Sequence, residues 1–399
     1  MNNQRINIPE GMRDLLFDEA VLQSEISDQL EKIYGYDGYM KVETPALEYY
    51  DAFNFAGQPL PQESMYKLTD NSGRLLVMRP DCTTPIARIV STKLREHPLP
   101  LKLSYTQKVY RISGGLSGKR GEILQSGVEF IGQAGIKSDI MCIVTAIKAL
   151  ESLGADFKIE IGHVDYYNSL IAELDLDEDK KEIVRNYVET KDSLSIGFID
   201  DSPSVEKIRR IPLLFGGAEV LDEAAGIACG NAKALGAIEK VRIIYEQLSS
   251  MGYGDRVLID LGTVQKLEYY TGTVFRGYMD GAGESVLNGG RYDRLLSNFG
   301  LDCPAVGFAV NVGTVAETLY RKGRRPETPA SASAVIFSSC GDLAKAVEYR
   351  DALKKEGTES EISCFDTFEE TVGYAKSKKI KKIAVIGSGD GETRIEDIR

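Results

Sequence analysis

The stretch 122–132 sets two kinds of residue in alternation. With the strand period of two, Leu124, Val128 and Phe130 fall on one face and Gln125, Gly127 and Glu129 on the other. A second strand-like run, 101–112, precedes it across a Gly- and Ser-rich loop at 113–121. A carboxylate and an amide on either side of a glycine suit an ammonium group. The glycine leaves room for a ligand and the charge matches. A half-exposed edge strand with its polar residues in water explains the same pattern, so the strand alone leaves both readings open.

The surrounding segments extend the sheet. Asp18 can cap a helix running to about residue 34, with Leu22, Ile26, Leu30 and Ile33 on one face. Pro45 breaks the next strand-like stretch. Leu75-Leu76-Val77-Met78 reads as a strand, with a helix from about Thr84, a further helix over 139–153 and a short strand at Ile159-Glu160-Ile161. From about 165 to 250 helical periodicity replaces strand signals, as in Ile238, Val241, Tyr245 and Leu248, which predicts a helical subdomain or insertion. Strands return at 256–262, 273–279 and 284–288, followed by a helix over about 304–320. The segment 321–333, with Pro326 and Pro329, is a candidate linker. Beyond it the order strand 334–338, helix 342–356, strand 359–364, helix 367–378, strand 382–387 predicts a small α/β domain. The expected division is a core over 1–325 and a C-terminal domain over 334–399.

Composition removes several functions. The six cysteines form no CxxC pair and only two histidines exist, so a zinc site, a disulfide framework or a Ser-His or Cys-His mechanism has little to draw on. No metal or other cofactor is expected. The net charge of −12 opposes tight binding to a polyanion, and 330–399 carries 11 basic and 13 acidic residues where a tRNA-reading domain would be positive. Apolar runs are too short to cross a bilayer, and the first residues lack the apolar core of a signal peptide, which predicts a cytoplasmic protein.

Three further stretches carry chemistry. In Met78-Arg79-Pro80-Asp81-Cys82-Thr83-Thr84, Asp81 or Thr83 can cap the following helix, or both can help hold an ammonium group. The run 266–275 holds a tyrosine pair whose hydroxyls suit an imidazole; an amphipathic hairpin strand is the plain alternative. Leu287-Asn288-Gly289-Gly290-Arg291-Tyr292-Asp293 reads as a turn before a helix, or as glycines allowing close backbone approach with Tyr292 reaching a pocket.

The order and spacing of these stretches resemble class II histidyl-tRNA synthetases over about residues 5–320. The series runs from Ile8-Pro9-Glu10-Gly11-Met12-Arg13-Asp14 and Pro45 through Arg79-Pro80-Asp81-Cys82-Thr83, Val109-Tyr110-Arg111 and Gln125-x-x-x-Glu129. It continues with Leu267-Glu268-Tyr269-Tyr270-Thr271, Gly289-Gly290-Arg291-Tyr292-Asp293 and Ala305-Val306-Gly307-Phe308-Ala309. The resemblance implies an α+β fold: an antiparallel sheet flanked by helices, with a dimer interface near Pro45. It also implies that Asp81, Thr83, Gln125 and Glu129 hold the ammonium of histidine, that Tyr270 and Tyr292 contact its imidazole, and that Arg111 contacts the carboxylate or phosphate of the activated amino acid.

Three positions depart from the family. Ser113 replaces the glutamate that reads adenine, Gln265 replaces the catalytic arginine of the histidine signature, and Thr314 replaces the arginine that stacks on adenine. All three losses strike the nucleotide side, where one missing cation costs about 10²–10³-fold in rate. The pattern is similar to a non-catalytic paralogous group, the regulatory subunits of short-form ATP phosphoribosyltransferase. That resemblance implies a homodimer within a hetero-oligomer, an octamer, together with catalytic subunits. It further implies histidine as feedback effector and no tRNA or membrane partner. The alternatives are an active but divergent synthetase and a synthetase-like module serving another partner or amino acid.

Overall fold

The structure, a computed structural model, describes all residues except 1–3, 56–59, 113–119, 200–202, 265–269, 328–331, 389–391 and 399. They divide into two compact units: Met1–Asp14 with Ile26–Lys322, and Leu15–Glu25 with Gly323–Arg399. Residues Leu15–Glu25 thus group with the C-terminal unit, where the sequence placed them in a continuous core.

The first unit carries strands β1 (Met40–Lys41), β2 (Leu47–Tyr49), β3 (Lys67–Thr69), β4 (Leu75–Met78), β5 (Leu101–Tyr110) and β6 (Glu122–Ile131). After these come β7 (Phe157–His163), β8 (Phe215–Gly216), β9 (Val257–Asp260), β10 (Thr273–Met279), β11 (Leu287–Arg291) and β12 (Ala305–Asn311). Nine of them form one sheet in the order β1-β5-β6-β12-β11-β10-β7-β9-β8. Pairing is antiparallel from β5 through to β7 and parallel at β1/β5 and β7/β9.

One expectation and two of the plain alternatives fail here. The helix foreseen over 304–320 begins only at Val312, because Ala305–Asn311 is an interior strand paired to β6 and β11. A strand buried on both faces is apolar throughout, so its period cannot distinguish it from the helix that follows. Likewise 287–291 is a full interior strand rather than a turn. Strand 122–132 is not an edge strand either, since β5 and β12 flank it.

The sheet carries helices on both faces: Tyr34 of α1 (Asp18–Tyr36) and α3 (Ile136–Ser152) lie on one, and α2 (Thr83–Ser91) on the other. On the α1 and α3 side, Tyr34 meets the Phe308 ring edge-on at 5.9 Å, and Phe275 meets Phe308 at 6.3 Å. A buried ion pair fixes α3 to β11: Arg291 Nε donates to Asp139 Oδ1 at 2.8 Å, Arg291 Nη2 to Ser138 Oγ at 2.7 Å, and Thr273 Oγ1 to Asp139 Oδ2 at 2.8 Å. Helix α2 and the 292–299 segment pack instead around Tyr105, Cys82 and Ile86.

The helical stretch expected at 165–250 is present as α4 (Val164–Ile171), α5 (Glu178–Glu189), α6 (Ser193–Ile196), α7 (Pro203–Arg210), α8 (Glu219–Ile227) and α9 (Ala232–Ser250), with the two-residue β8 inside it. Asp177, Asp192 and Asn231 cap α5, α6 and α9. Helix α10 (Val312–Arg321) closes the unit.

The second unit contains β13 (Ala334–Ser338), α11 (Leu343–Lys355), β14 (Ser360–Ile362), α12 (Phe368–Ser377), β15 (Lys382–Ser388) and β16 (Glu392–Asp397). Its sheet runs β14-β13-β15-β16, parallel except at β15/β16. Val335 and Ile383 pack on one side with Phe368 and Ala375, and Ile336 and Ala384 on the other with Ala346. The antiparallel edge strand β16 is an addition to the expected order.

Candidate functional site

Cross-strand register assembles the site. Residues opposite one another share a face, so Leu103, Glu129, Gly307, Gly290, Val274 and Gly162 make one row across β5, β6, β12, β11, β10 and β7. Tyr105, Gly127, Ala309, Asn288 and Arg276 make the next, and Gln107, Gln125 and Asn311 a shorter third.

Glu129 is the centre of this face. It is 1% exposed, although a carboxylate is among the least often buried side chains. Thr83 Oγ1 donates to its Oε1 at 2.8 Å, and the Tyr292 hydroxyl donates to its Oε2. A Cβ on Gly307 would collide with the same Oε2, so the carboxylate can lie flat over β12 only because residue 307 is glycine. Burial pushes Glu129 up to about 8, the two hydrogen bonds oppose that shift, and the neighbouring Asp81 charge adds to it. A cation placed beside this carboxylate would relieve the cost of ionising it.

Two more glycines shape the surface. A Cβ at Gly127 would stand 2.7 Å from the Tyr105 hydroxyl, and one at Gly290 would stand 2.7 Å from Tyr270 Cδ1. Tyr270 therefore lies against β11, on the face that carries Glu129. Tyr105 was not singled out in the sequence; its place opposite Gly127 depends on register, which only the paired strand supplies.

The other expected residues take distinct places. Asp81 is buried and caps α2, accepting from Thr84 N at 2.7 Å and Thr84 Oγ1 at 3.1 Å. Desolvation raises its pKa, while the Thr84 bonds and the Arg111 charge lower it. Both oxygens bond the helix start, one of the two roles foreseen, and each keeps a further lone pair. Arg111 is half-buried, and its Nε donates to the Pro80 carbonyl at 2.7 Å. Gln125 stands four residues from Glu129, about 13 Å along the strand. One ligand group meets both only if their side chains lean together over Gly127.

On the nucleotide side, Ser113 and Gln265 lie outside the described residues. Thr314 is described: its amide donates to the capping Asn311 Oδ1 at 3.2 Å and its hydroxyl to Glu284 Oε1 at 3.3 Å. Beside it, Arg120 pairs with Glu317, and a Cβ at Gly313 would lie 2.7 Å from Arg120 Nη1. No group of three or more metal-ligating side chains occurs among the described residues.

Comparison with known proteins agrees with this architecture. The family described as histidyl-tRNA synthetase matches residues 11–315. A relative from Clostridium acetobutylicum named ATP phosphoribosyltransferase regulatory subunit is 42% identical, over 100% of this chain and 98% of its own. A relative of the same name from Bacillus mycoides is 37% identical over 94% of this chain and 90% of its own. The crystal structure titled ATP phosphoribosyltransferase regulatory subunit/histidyl-tRNA synthetase from Bacillus halodurans superposes with a TM-score of 0.81 at 30% identity, covering 92% of this chain and 96% of that one. Histidyl-tRNA synthetase from Nostoc, at 19% identity and a TM-score of 0.80 over 98% of this chain and 97% of its own, shares the fold. The chain belongs to the histidyl-tRNA synthetase family, in its branch of ATP phosphoribosyltransferase regulatory subunits.

Proposed function

We propose that this chain is a non-catalytic, cytoplasmic regulatory subunit that binds free histidine on the Glu129 face and transmits its presence to the catalytic subunits of an ATP phosphoribosyltransferase. In that role it is required for full activity of the first step of histidine biosynthesis and brings feedback inhibition to it. The observation that carries the reading is Glu129, a buried carboxylate bonded to two neutral donors and, among the described residues, to no cation. An α-ammonium group supplies the missing charge; Tyr270 against Gly290 and Tyr292 beside Glu129 support the imidazole contacts of this reading. Thr314 bonded to Glu284 supports a nucleotide side without its adenine-stacking cation.

Self-association has its own support. On the small sheet β2-β4-β3, register places Leu47, Tyr49, Leu68, Leu76 and Met78 on one face, and Leu47, Tyr49 and Leu68 are exposed. A contiguous apolar face of this kind suits a symmetric dimer within a hetero-octamer.

The test is titration of the purified chain with histidine, together with ATP–pyrophosphate exchange. Histidine binding without exchange is expected. Exchange well above background would instead favour the active synthetase, the reading that the shared fold keeps in view.

A further inference from the structure

The pocket face ends at β7 and β9, and there the helical insertion is tied to it. Gly162, the last member of the Glu129 row, has no side chain, and a Cβ on it would stand 2.5 Å from the Asp260 carbonyl. Asp260 ends β9, is 4% exposed and immediately precedes the stretch that leads to Tyr270. Its Oδ1 accepts from Gly262 N at 2.9 Å and from Lys191 Nζ at 2.6 Å. Lys191 belongs to the insertion, in the turn between α5 and α6, and sits at φ 59, a left-handed conformation that costs a lysine energy. A Cβ on Gly262 would lie 2.8 Å from Lys191 Nζ and 3.2 Å from the Ile211 carbonyl, so this turn packs closely against the insertion.

Two backbone ties flank this pair. Leu261 N donates to the Leu214 carbonyl at 3.1 Å, and β8 pairs with β9 through Phe215↔Asp260 and Gly216↔Ile259. On the far side of 265–269, Val164 N at the start of α4 donates to the Gly272 carbonyl at 3.0 Å. The described residues on both sides of the histidine-signature stretch are therefore bonded to the insertion. Burial and the Asp260 charge raise the pKa of Glu160, and Lys191 and Arg276, which Glu160 faces on the same side of the sheet, oppose them.

We propose that the Lys191–Asp260 pair is the positioning contact through which the insertion sets the histidine pocket, so that the insertion's placement and histidine occupancy bias one another. Lys191 touches no ligand in this scheme; it holds the 261–264 turn from which the chain proceeds to Tyr270. By linkage, whatever moves the insertion must change histidine affinity, and histidine must steady the insertion by the same factor. The inference rests on histidine binding at Glu129, as proposed above.

The experiment is calorimetric titration of histidine into the full chain and its Lys191→Met, Lys191→Arg and Glu129→Gln variants, with hydrogen exchange followed on the wild type. Lys191→Met should weaken histidine binding by about tenfold, in the usual range for coupled sites. Lys191→Arg should restore most of it, and histidine should slow exchange at the Leu261 and Gly262 amides. In the complex with catalytic subunits, Lys191→Met should raise the histidine concentration for half-inhibition while leaving uninhibited activity unchanged. Equal affinity of wild type and Lys191→Met overturns the proposal. So does unaltered exchange at Leu261 and Gly262 under saturating histidine, which decides the matter even if the variant misfolds. Wild-type chain that ignores histidine, or binding untouched by Glu129→Gln, sinks the pocket reading instead.

Discussion

At the scale of single residues, Glu129 governs how this protein responds to pH. Its folded pKa is raised above the unfolded value, so its contribution to stability is fully present below about pH 4.5 and lost as pH rises through about 8. Urea unfolding from pH 5 to 9 should show a falling midpoint across that window, and Glu129→Gln should flatten it. Histidine's ammonium favours the ionised carboxylate, so binding near pH 7 should expel a proton. Calorimetry in buffers of different ionisation enthalpy measures that release, which should vanish in Glu129→Gln together with about 10–100-fold of affinity, the worth of a charge-assisted hydrogen bond. Tyr292→Phe removes one of the two donors and leaves a buried acceptor unmet. It should destabilise the fold by about 1–3 kcal/mol, read from denaturant curves, and raise the Glu129 pKa further. Much of this site was visible in the residues alone: period-two alternation grouped Gln125, Gly127 and Glu129, and all three share a face. Tyr105 and Lys191 were not visible, because each acts across a distance in sequence that only strand register or an insertion's docking closes.

At the scale of elements, what sequence periodicity could tell depended on burial. Strands with one wetter face, such as β5 over its last four residues, and capped helices such as α9 announce themselves. Strand β12 does not: Ala305-Val306-Gly307-Phe308-Ala309-Val310 lies between two other strands and is buried almost throughout, which erases alternation. Arg291 illustrates the same limit. In sequence it belonged to a glycine-rich turn; in the fold it is 5% exposed and clasped by Asp139 and Ser138 of α3. Such a pair is weak evidence of net stability, but breaking one partner strands the other charge. Arg291→Met should therefore cost about 3–5 kcal/mol in chemical denaturation, separating α3 from β11 without touching a pocket side chain.

For the whole molecule, the balance of charge and the missing cations argue together. With a net charge of −12, binding to tRNA should be weak at moderate salt and fade further as salt rises, as filter binding or fluorescence anisotropy can measure. Gln265→Arg alone should not yield pyrophosphate exchange, since Ser113 and Thr314 remain. The strand order carries one more consequence. Glu129 of β6 is bordered by Gly307 of β12, which follows it only after the entire insertion and four further strands, β7, β9, β10 and β11, have been made. During synthesis the carboxylate therefore waits, uncovered on that flank, until residues 305–311 leave the ribosome, and this long-range closure slows assembly. An emerging chain that stops short of β12 has no complete seat to offer, so under the proposed reading a free amino acid cannot template its early folding.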